Sequence, residues 1–409
     1  MDYEIKQCRI CKAETKRFLD IGRTHPPEEF RTESELQKPI VTFQLGLSYC
    51  TKCGQVQLTS EIPPDIMYKE NYFYDYSVTQ TGLKHWTALA NTLYKTYNLK
   101  DNDLVVDIGS NTGTLLEIFK GMGIEILGID PADKQVKIAN DRGIETINAY
   151  FGPKVAQEAL GKYGKAKMIT CNNVFDHVHD LYEFMDGIKI LLSDDGVFVA
   201  EVPYFYSFVK TLGHVVYHQQ LDYLLVKPFM QLFENVGMEL IDCEDIPFHG
   251  GSIRIHVAFK GKHAVSPHVA EFVKREDELI FNDEPKALAE FARQILEQKD
   301  ELRKTLLDLK SKGKSIAAVG ASAKGNVLLF YCGIGPDIID FMTEKSSLKV
   351  GRYTPSGIPV VEDSELIRRK PDYAVLLAWN FRDEVFKNLN EYTKNGGRFI
   401  IPIPKVEIV

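Results

Sequence analysis

Val105-Val106-Asp107-Ile108-Gly109-Ser110-Asn111-Thr112-Gly113-Thr114-Leu115-Leu116 is the stretch whose reading decides the fold. Its first half is an apolar, β-branched run of the kind buried in a parallel sheet. Gly109 and Gly113 interrupt it, and an amphipathic helix is expected from Leu115 to Met122. Gly109 permits the tight turn, and Gly113 is expected to let a ligand approach the backbone closely. A second apolar run, Ile126-Leu127-Gly128-Ile129-Asp130, ends in a carboxylate. An acid at the tip of the second strand of a βαβ unit is placed to hydrogen-bond a ribose diol.

Three ligand classes use such a turn. A dinucleotide fold prefers G-x-G-x-x-G, whereas this chain has Asp-Ile-Gly-Ser-Asn-Thr-Gly. A P-loop ends in Gly-Lys-Ser/Thr, and this loop has no lysine. An acid before G-x-x-x-G suits a cationic ligand without phosphate. S-adenosylmethionine (SAM) is such a ligand, and the pattern resembles the SAM site of class I methyltransferases, with Asp107, Gly109, Asn111, Gly113 and Asp130 at the cofactor.

The 409 residues suffice for two or three domains, and 44% hydrophobic with 26% charged residues is an ordinary globular composition. A net charge of −8 without a long Lys/Arg run points away from nucleic acid. Neither a secretory leader nor an apolar run long enough to span a membrane is read. A cytoplasmic protein is therefore expected, with its cysteines used for metal rather than disulfides.

Of seven cysteines, four form Cys8-Arg9-Ile10-Cys11 and Cys50-Thr51-Lys52-Cys53. Two C-x-x-C knuckles suit one tetrahedral zinc, and four sulfur ligands leave no open position, so a structural ion is expected. An iron–sulfur cluster shares this ligand spacing. Between the knuckles, 43–49 alternates like a strand. A tyrosine-rich segment follows, with Tyr68, Tyr72, Tyr74 and Tyr76, and then a helix over 85–97.

Residues 104–258 alternate strands and helices in doubly wound style. Lys167–Asn173 reads as a strand, running into the loop 174–180 that carries His177 and His179. A helix over 181–192, a turn at 193–196 and a strand to Pro203 come next. An aromatic, histidine-bearing insertion then includes His214, Tyr217, His218 and Tyr223, and a Gly-rich turn with His249 enters a last strand through Ser252 and Arg254. The charged, helical stretch from Pro267 to Lys312 reads as a link. Beyond it, Ser315–Val319 followed by Gly-Ala-Ser-Ala-Lys-Gly outlines an anion-binding turn in which Lys324 and helix N–H groups would hold a diphosphate. Short strands at 338–343, 359–360, 373–378 and 398–402 complete a second α/β unit. The expected layout is α/β throughout: a zinc-binding module (1–66), a SAM-binding Rossmann-like domain (67–262), a helical linker (263–312) and a C-terminal Rossmann-like domain (313–409).

Taken together, these motifs resemble the zinc-containing sugar C-methyltransferases, typified by enzymes that methylate nucleotide-linked 4-keto-deoxysugars at C-3′. The paired C-x-x-C, Asn71-Tyr72-Phe73-Tyr74, Ile-Gly-Ser-Asn-x-Gly (108–113) and Asn-Val-Phe-x-His (173–177) match. So do Glu-Val-Pro-Tyr (201–204), His-Gly-Gly-Ser-x-Arg (249–254), Gly-Ala-Ser-Ala-Lys-Gly-Asn (320–326), Lys-x-Gly-Arg-Tyr-x-Pro (349–355) and Trp379-Asn380. The resemblance implies SAM and structural zinc as cofactors, with Asn173 at the SAM site. It implies a nucleotide-diphosphate sugar as partner, bound by Tyr72, His249, Ser252, Arg254, Ser322, Lys324, Asn326, Lys349, Arg352, Tyr353 and Asn380. A monomer or homodimer is expected.

One departure bears on mechanism. Where the family has Tyr-His-Glu-His, its last histidine implicated as the base, this chain has Tyr217-His218-Gln219-Gln220. Glutamine takes no proton at neutral pH. Methylating carbon needs a base beside a ketone and donors to the enolate. His177 and His218 are the candidate bases, with Tyr74, Tyr76 and Tyr217 as candidate donors. Methylation of oxygen or of another acceptor on the same scaffold, or a catalytically silent SAM-binding protein, are the alternatives.

Overall fold

The computed structural model describes residues 3–68, 80–248 and 250–409. These form three sheets. The first is antiparallel and four-stranded, in the order β1 (Thr15–Thr24), β2 (Phe43–Cys50), β3 (Val56–Leu58) and β9 (Asp222–Tyr223). Its last strand comes from the insertion after Pro203, so chain distant in sequence closes the N-terminal sheet.

The second sheet uses β4 (Leu104–Ile108), β5 (Glu125–Asp130), β6 (Thr146–Asn148), β7 (Ala166–Asn172), β8 (Leu192–Pro203), β10 (Met238–Ile246) and β11 (Ser252–Phe259). Its order is β10-β11-β8-β7-β4-β5-β6, with β11 antiparallel to β8 and β10 antiparallel to β11. The remaining pairs are parallel. All five residues of β4 are buried, as a strand covered by helices on both faces requires. The helix Thr114–Gly121 turns Leu115, Leu116 and Phe119 onto the sheet. Strand order reverses between β4 and β7, which brings the loops after these two strands side by side at the carboxyl edge, where open α/β sheets bind ligands.

The third sheet is ordered β14 (Val360–Glu362), β13 (Met342–Glu344), β12 (Ile316–Val319), β15 (Tyr373–Leu376), β16 (Arg398–Ile401) and β17 (Glu407–Ile408). Only β17 runs antiparallel to its neighbour. The helix Glu284–Ser311 joins the last two sheets. Leu288, Phe291, Ala292 and Ile295 sit in the core shared by the first two, while Leu302, Leu306 and Leu309 sit in the C-terminal core.

One local expectation changes. Residues 193–196 do not form a turn but part of β8. That strand advances from Leu192 to Val197 while β7 advances only from Ala166 to Met168, so the extra residues bulge out of the pair. Gly113 adopts φ 78°, and a β-carbon there would meet Ile144 Cγ2 at 2.7 Å, so the glycine serves close packing.

Candidate active site

The four knuckle cysteines converge, their Sγ atoms all within 4.8 Å of one another. Cys8 and Cys53 stand 3.5 Å apart and Cys11 and Cys50 3.4 Å apart, near the roughly 3.8 Å edge of a tetrahedron with Zn–S bonds of about 2.3 Å. Backbone N–H groups of Cys11, Lys52 and Cys53 point at Cys8 and Cys50 sulfurs, the pattern that stabilises thiolates. Lys12 and Gly54, each following a second cysteine, both take left-handed φ (59° and 76°). The donor set fits zinc, and Cys8, Cys11, Cys50 and Cys53 would hold it.

At the edge of the second sheet, a cavity of ≈ 410 Å³ is lined by Gly109, Asn111, Asp130, Asn173 and His177, with Tyr68, Tyr150 and Phe151 contributing aromatic walls. Asp130 Oδ2 accepts from Asn111 N–H at 2.9 Å and Oδ1 from Ala132 N–H at 2.8 Å, leaving lone pairs on both oxygens for a ligand. Burial pushes Asp130 up to about 6. Gly109 turns at φ 72°, and a β-carbon there would strike Val174 Cγ2 at 2.3 Å. Asp107 lies beneath this cavity rather than in its wall. Thr170 Oγ1 donates to its Oδ1 at 2.7 Å, and burial raises it to about 7. The buried Asn173 Nδ2 has no hydrogen-bond partner among the described residues, an orphan donor on a side chain that lines this cavity. These residues fit SAM.

A second cavity of ≈ 250 Å³ lies between the second and third sheets, and Asn173 and His177 line it too. The two spaces thus meet at these two side chains. Phe175, fully buried among Phe184, Phe198, Phe229 and Phe233, anchors the loop that presents them. Burial, with Lys324 and His179 nearby, holds the His177 imidazole down at about 3, so the ring is neutral at pH 7. Its Nε2 stands 3.5 Å from the Tyr217 hydroxyl and 3.4 Å from Asp176 Oδ2. Burial raises Asp176 to about 8 and lowers Lys324 to about 7. Lys324 Nζ donates to His214 Nδ1 at 3.2 Å, so His214 Nε2–H faces Gln220 Oε1 at 3.0 Å. Gln220, where the family has histidine, therefore positions another histidine.

Tyr217, Ser322, Lys324, Lys349 and Asn380 all line this second cavity. Ser322 caps the following helix through Gly325 N–H, and Lys349 pairs with the buried Glu28 at 3.1 Å. Other predicted residues are not brought to either cavity. His218 faces inward to Thr24 Oγ1 and the Gln44 carbonyl, both at 3.2 Å. Arg254 is held by the buried Glu201 at 2.8 Å, and Ser252 donates to the Phe248 carbonyl. Asn326 clasps the carbonyls of Pro27 and Glu29. Arg352 Nε bonds the Leu348 carbonyl, and Tyr353 exchanges backbone hydrogen bonds with Arg31. Tyr72, Tyr74, Tyr76 and His249 lie outside the described residues. Sequence reasoning missed Asp176, whose signal was its place beside His177, and Glu344 at the tip of β13.

Comparison with known proteins gives a consistent account along the chain. Residues 8–68 match a family model described as "Putative zinc binding domain", residues 82–242 a "Methyltransferase domain" and residues 247–404 a "C-methyltransferase C-terminal domain". The C-methyltransferase NovU of Streptomyces niveus is 33% identical over 411 aligned residues, covering 99% of this chain and 97% of that protein. A ubiquinone biosynthesis O-methyltransferase of Cupriavidus pinatubonensis is 31% identical over 101 residues, 24% of this chain and 41% of its own length. Among solved structures, a SAM-dependent methyltransferase of Clostridium acetobutylicum covers 46% of this chain and 93% of its own at 14% identity and a TM-score of 0.36.

Proposed function

Since the chain belongs to the zinc-containing, SAM-dependent C-methyltransferases, we propose that it methylates a ring carbon of a nucleotide-linked keto-deoxysugar, with His177 as the base. The observation that carries this reading is the meeting of the two cavities at Asn173 and His177. One wall shared by a donor space and an acceptor space supports transfer of the methyl group at that wall.

SAM supplies an electrophilic methyl group and needs no activation by the protein. The protein must instead make the carbon nucleophilic. His177, neutral and half-buried, takes the proton from the carbon beside the ketone, and the C–H electron pair moves into the enolate. The burial that makes an isolated imidazolium costly is offset when an enolate anion forms beside it. Tyr217, on the acceptor side of His177, donates to the enolate oxygen as its charge develops. The acceptor is a small molecule, and no described helix is long and apolar enough to cross a membrane. We place the enzyme in the cytoplasm, as a monomer or homodimer.

The test uses the full chain with methyl-labelled SAM and a panel of nucleotide-linked keto sugars. Label is expected on a ring carbon, and solvent deuterium should enter the sugar before transfer. His177→Asn should lower both by about 10²- to 10⁴-fold while SAM still binds. Label on an oxygen, or deuterium exchange undiminished in that variant, would overturn the reading. SAM binding without transfer to any acceptor would favour a silent binding protein.

A further inference from the structure

The C-terminal module repeats, in unrelated sequence, the cradle that surrounds the donor site. In the donor module β4 pairs in parallel with β5, Gly109 turns at φ 72°, and Asp130 at the tip of β5 reaches back to the N–H of Asn111. In the C-terminal module β12 pairs in parallel with β13, Gly320 turns at φ 89°, and Glu344 at the tip of β13 reaches back to the N–H of Ala321 at 2.9 Å. Each acid lines its cavity. Each also accepts from the backbone just beyond its own strand: Asp130 from Ala132, Glu344 from Lys345 at 2.7 Å and Ser346 at 3.0 Å.

The number of acceptor sites still open differs between the two. A carboxylate offers about four lone-pair directions. Asp130 spends one on each oxygen and keeps one on each, which suits the adjacent hydroxyls of a ribose diol. Glu344 spends two on Oε1 and one on Oε2, and keeps a single site on Oε2.

We infer that Glu344 accepts a hydrogen bond from one hydroxyl, and only one, of the nucleoside pentose of the acceptor. This rests on the nucleotide-sugar reading above and adds where the nucleotide lies. With the pentose at the tip of β13, the diphosphate runs past Ser322 and Lys324, and the sugar reaches Tyr217 and His177. Glu344 is then a binding residue that discriminates between pentoses, and it takes no part in the chemistry.

The test is calorimetric binding of UDP and GDP, each also as its 2′-deoxy and 3′-deoxy form, to the full-length protein. Removing one hydroxyl is expected to weaken binding about tenfold or more, as loss of a hydrogen bond to a charged group does, while removing the other changes little. In Glu344→Gln that sensitivity should vanish, with unchanged SAM affinity showing that the variant is folded. Because the parent comparison needs no substitution, a misfolded variant leaves the pentose dependence measurable. Equal dependence on both hydroxyls, dependence on neither, or discrimination retained in Glu344→Gln would overturn the inference alone. If no nucleoside diphosphate binds the parent protein, the nucleotide-sugar reading falls and this inference falls with it.

Discussion

Arg9, the residue after the first knuckle cysteine, presses its guanidinium Nε against both oxygens of Asp222, at 3.1 and 3.0 Å, in a pair that is buried on both sides. Asp222 opens β9, at the end of the insertion that carries Tyr217. The same guanidinium donates to the carbonyl of Val178, the residue after His177. Gln55, just past the second knuckle, completes the hold on Asp222 at 2.8 Å. The cysteine site is far from the reacting atoms in sequence, yet it fixes both flanks of the proposed base.

A first prediction separates metal from geometry. Cys8→Ser should lose the ion, which elemental analysis of the parent should find at about one per chain, and should lower Tm. Arg9→Met leaves the four sulfurs intact and should retain zinc. It should nevertheless raise the acceptor KM while leaving SAM affinity unchanged, because Asp222 and Val178 lose their common anchor. Unaltered acceptor kinetics in a zinc-loaded Arg9→Met protein would show that the pair serves stability alone.

A second prediction concerns pH. Asp130 sits at about 6, so its carboxylate is lost as pH falls below that value and SAM affinity should decline there. Lys324 sits at about 7 and Asp176 at about 8. Raising pH through this window removes a positive charge and adds a negative one in the acceptor cavity. The KM for an anionic nucleotide sugar should therefore rise on the alkaline side while the SAM KM does not. His177, neutral above about 3, contributes to neither limb near neutrality. Lys324→Arg keeps its proton across this range and should flatten the alkaline rise, measured as separate pH profiles for the two substrates.

A third prediction concerns Arg254, which the family pattern suggested for substrate. In the structure it neutralises Glu201, whose other oxygen lies 2.7 Å from His85. Arg254→Ala would strand a buried carboxylate, at a cost of about 3–5 kcal/mol. Urea unfolding should register that loss, and nucleoside diphosphate affinity of the folded fraction should be unchanged.

What the sequence made legible was local. The run from Val105 to Leu116 announced strand, turn and helix because a β-branched run, a glycine break and a helical period lie within a dozen residues. The two C-x-x-C pairs announced their convergence through ligand chemistry. Long-range pairing was hidden. Nothing near Asp222 says that two residues will close a sheet begun at Thr15, or that His218 will turn toward Gln44 while Tyr217 lines the cavity. At Gly113 the packing role was hidden, because it depends on Ile144, 31 positions further along the chain. Arg254 and Asn326 misled for a related reason: a polar side chain in a matching motif can be spent on internal partners, Glu201 for the one and the Pro27 and Glu29 carbonyls for the other.

The helix Glu284–Ser311 has a consequence for how such proteins can be recombined. Its 28 residues extend about 42 Å, and its apolar positions change allegiance partway, with Ile295 in one core and Leu302 in the next. Gln298 marks the crossing by donating to the carbonyls of Leu212 and Pro404. A graft of the C-terminal half cut at its start, near residue 313, would leave Leu302, Leu306 and Leu309 facing a foreign surface. A cut ahead of the helix would carry the wrong partner for Leu288 and Phe291. The transferable unit is thus neither half alone, and acceptor preference should drift by substitutions within the cavity more readily than by wholesale exchange.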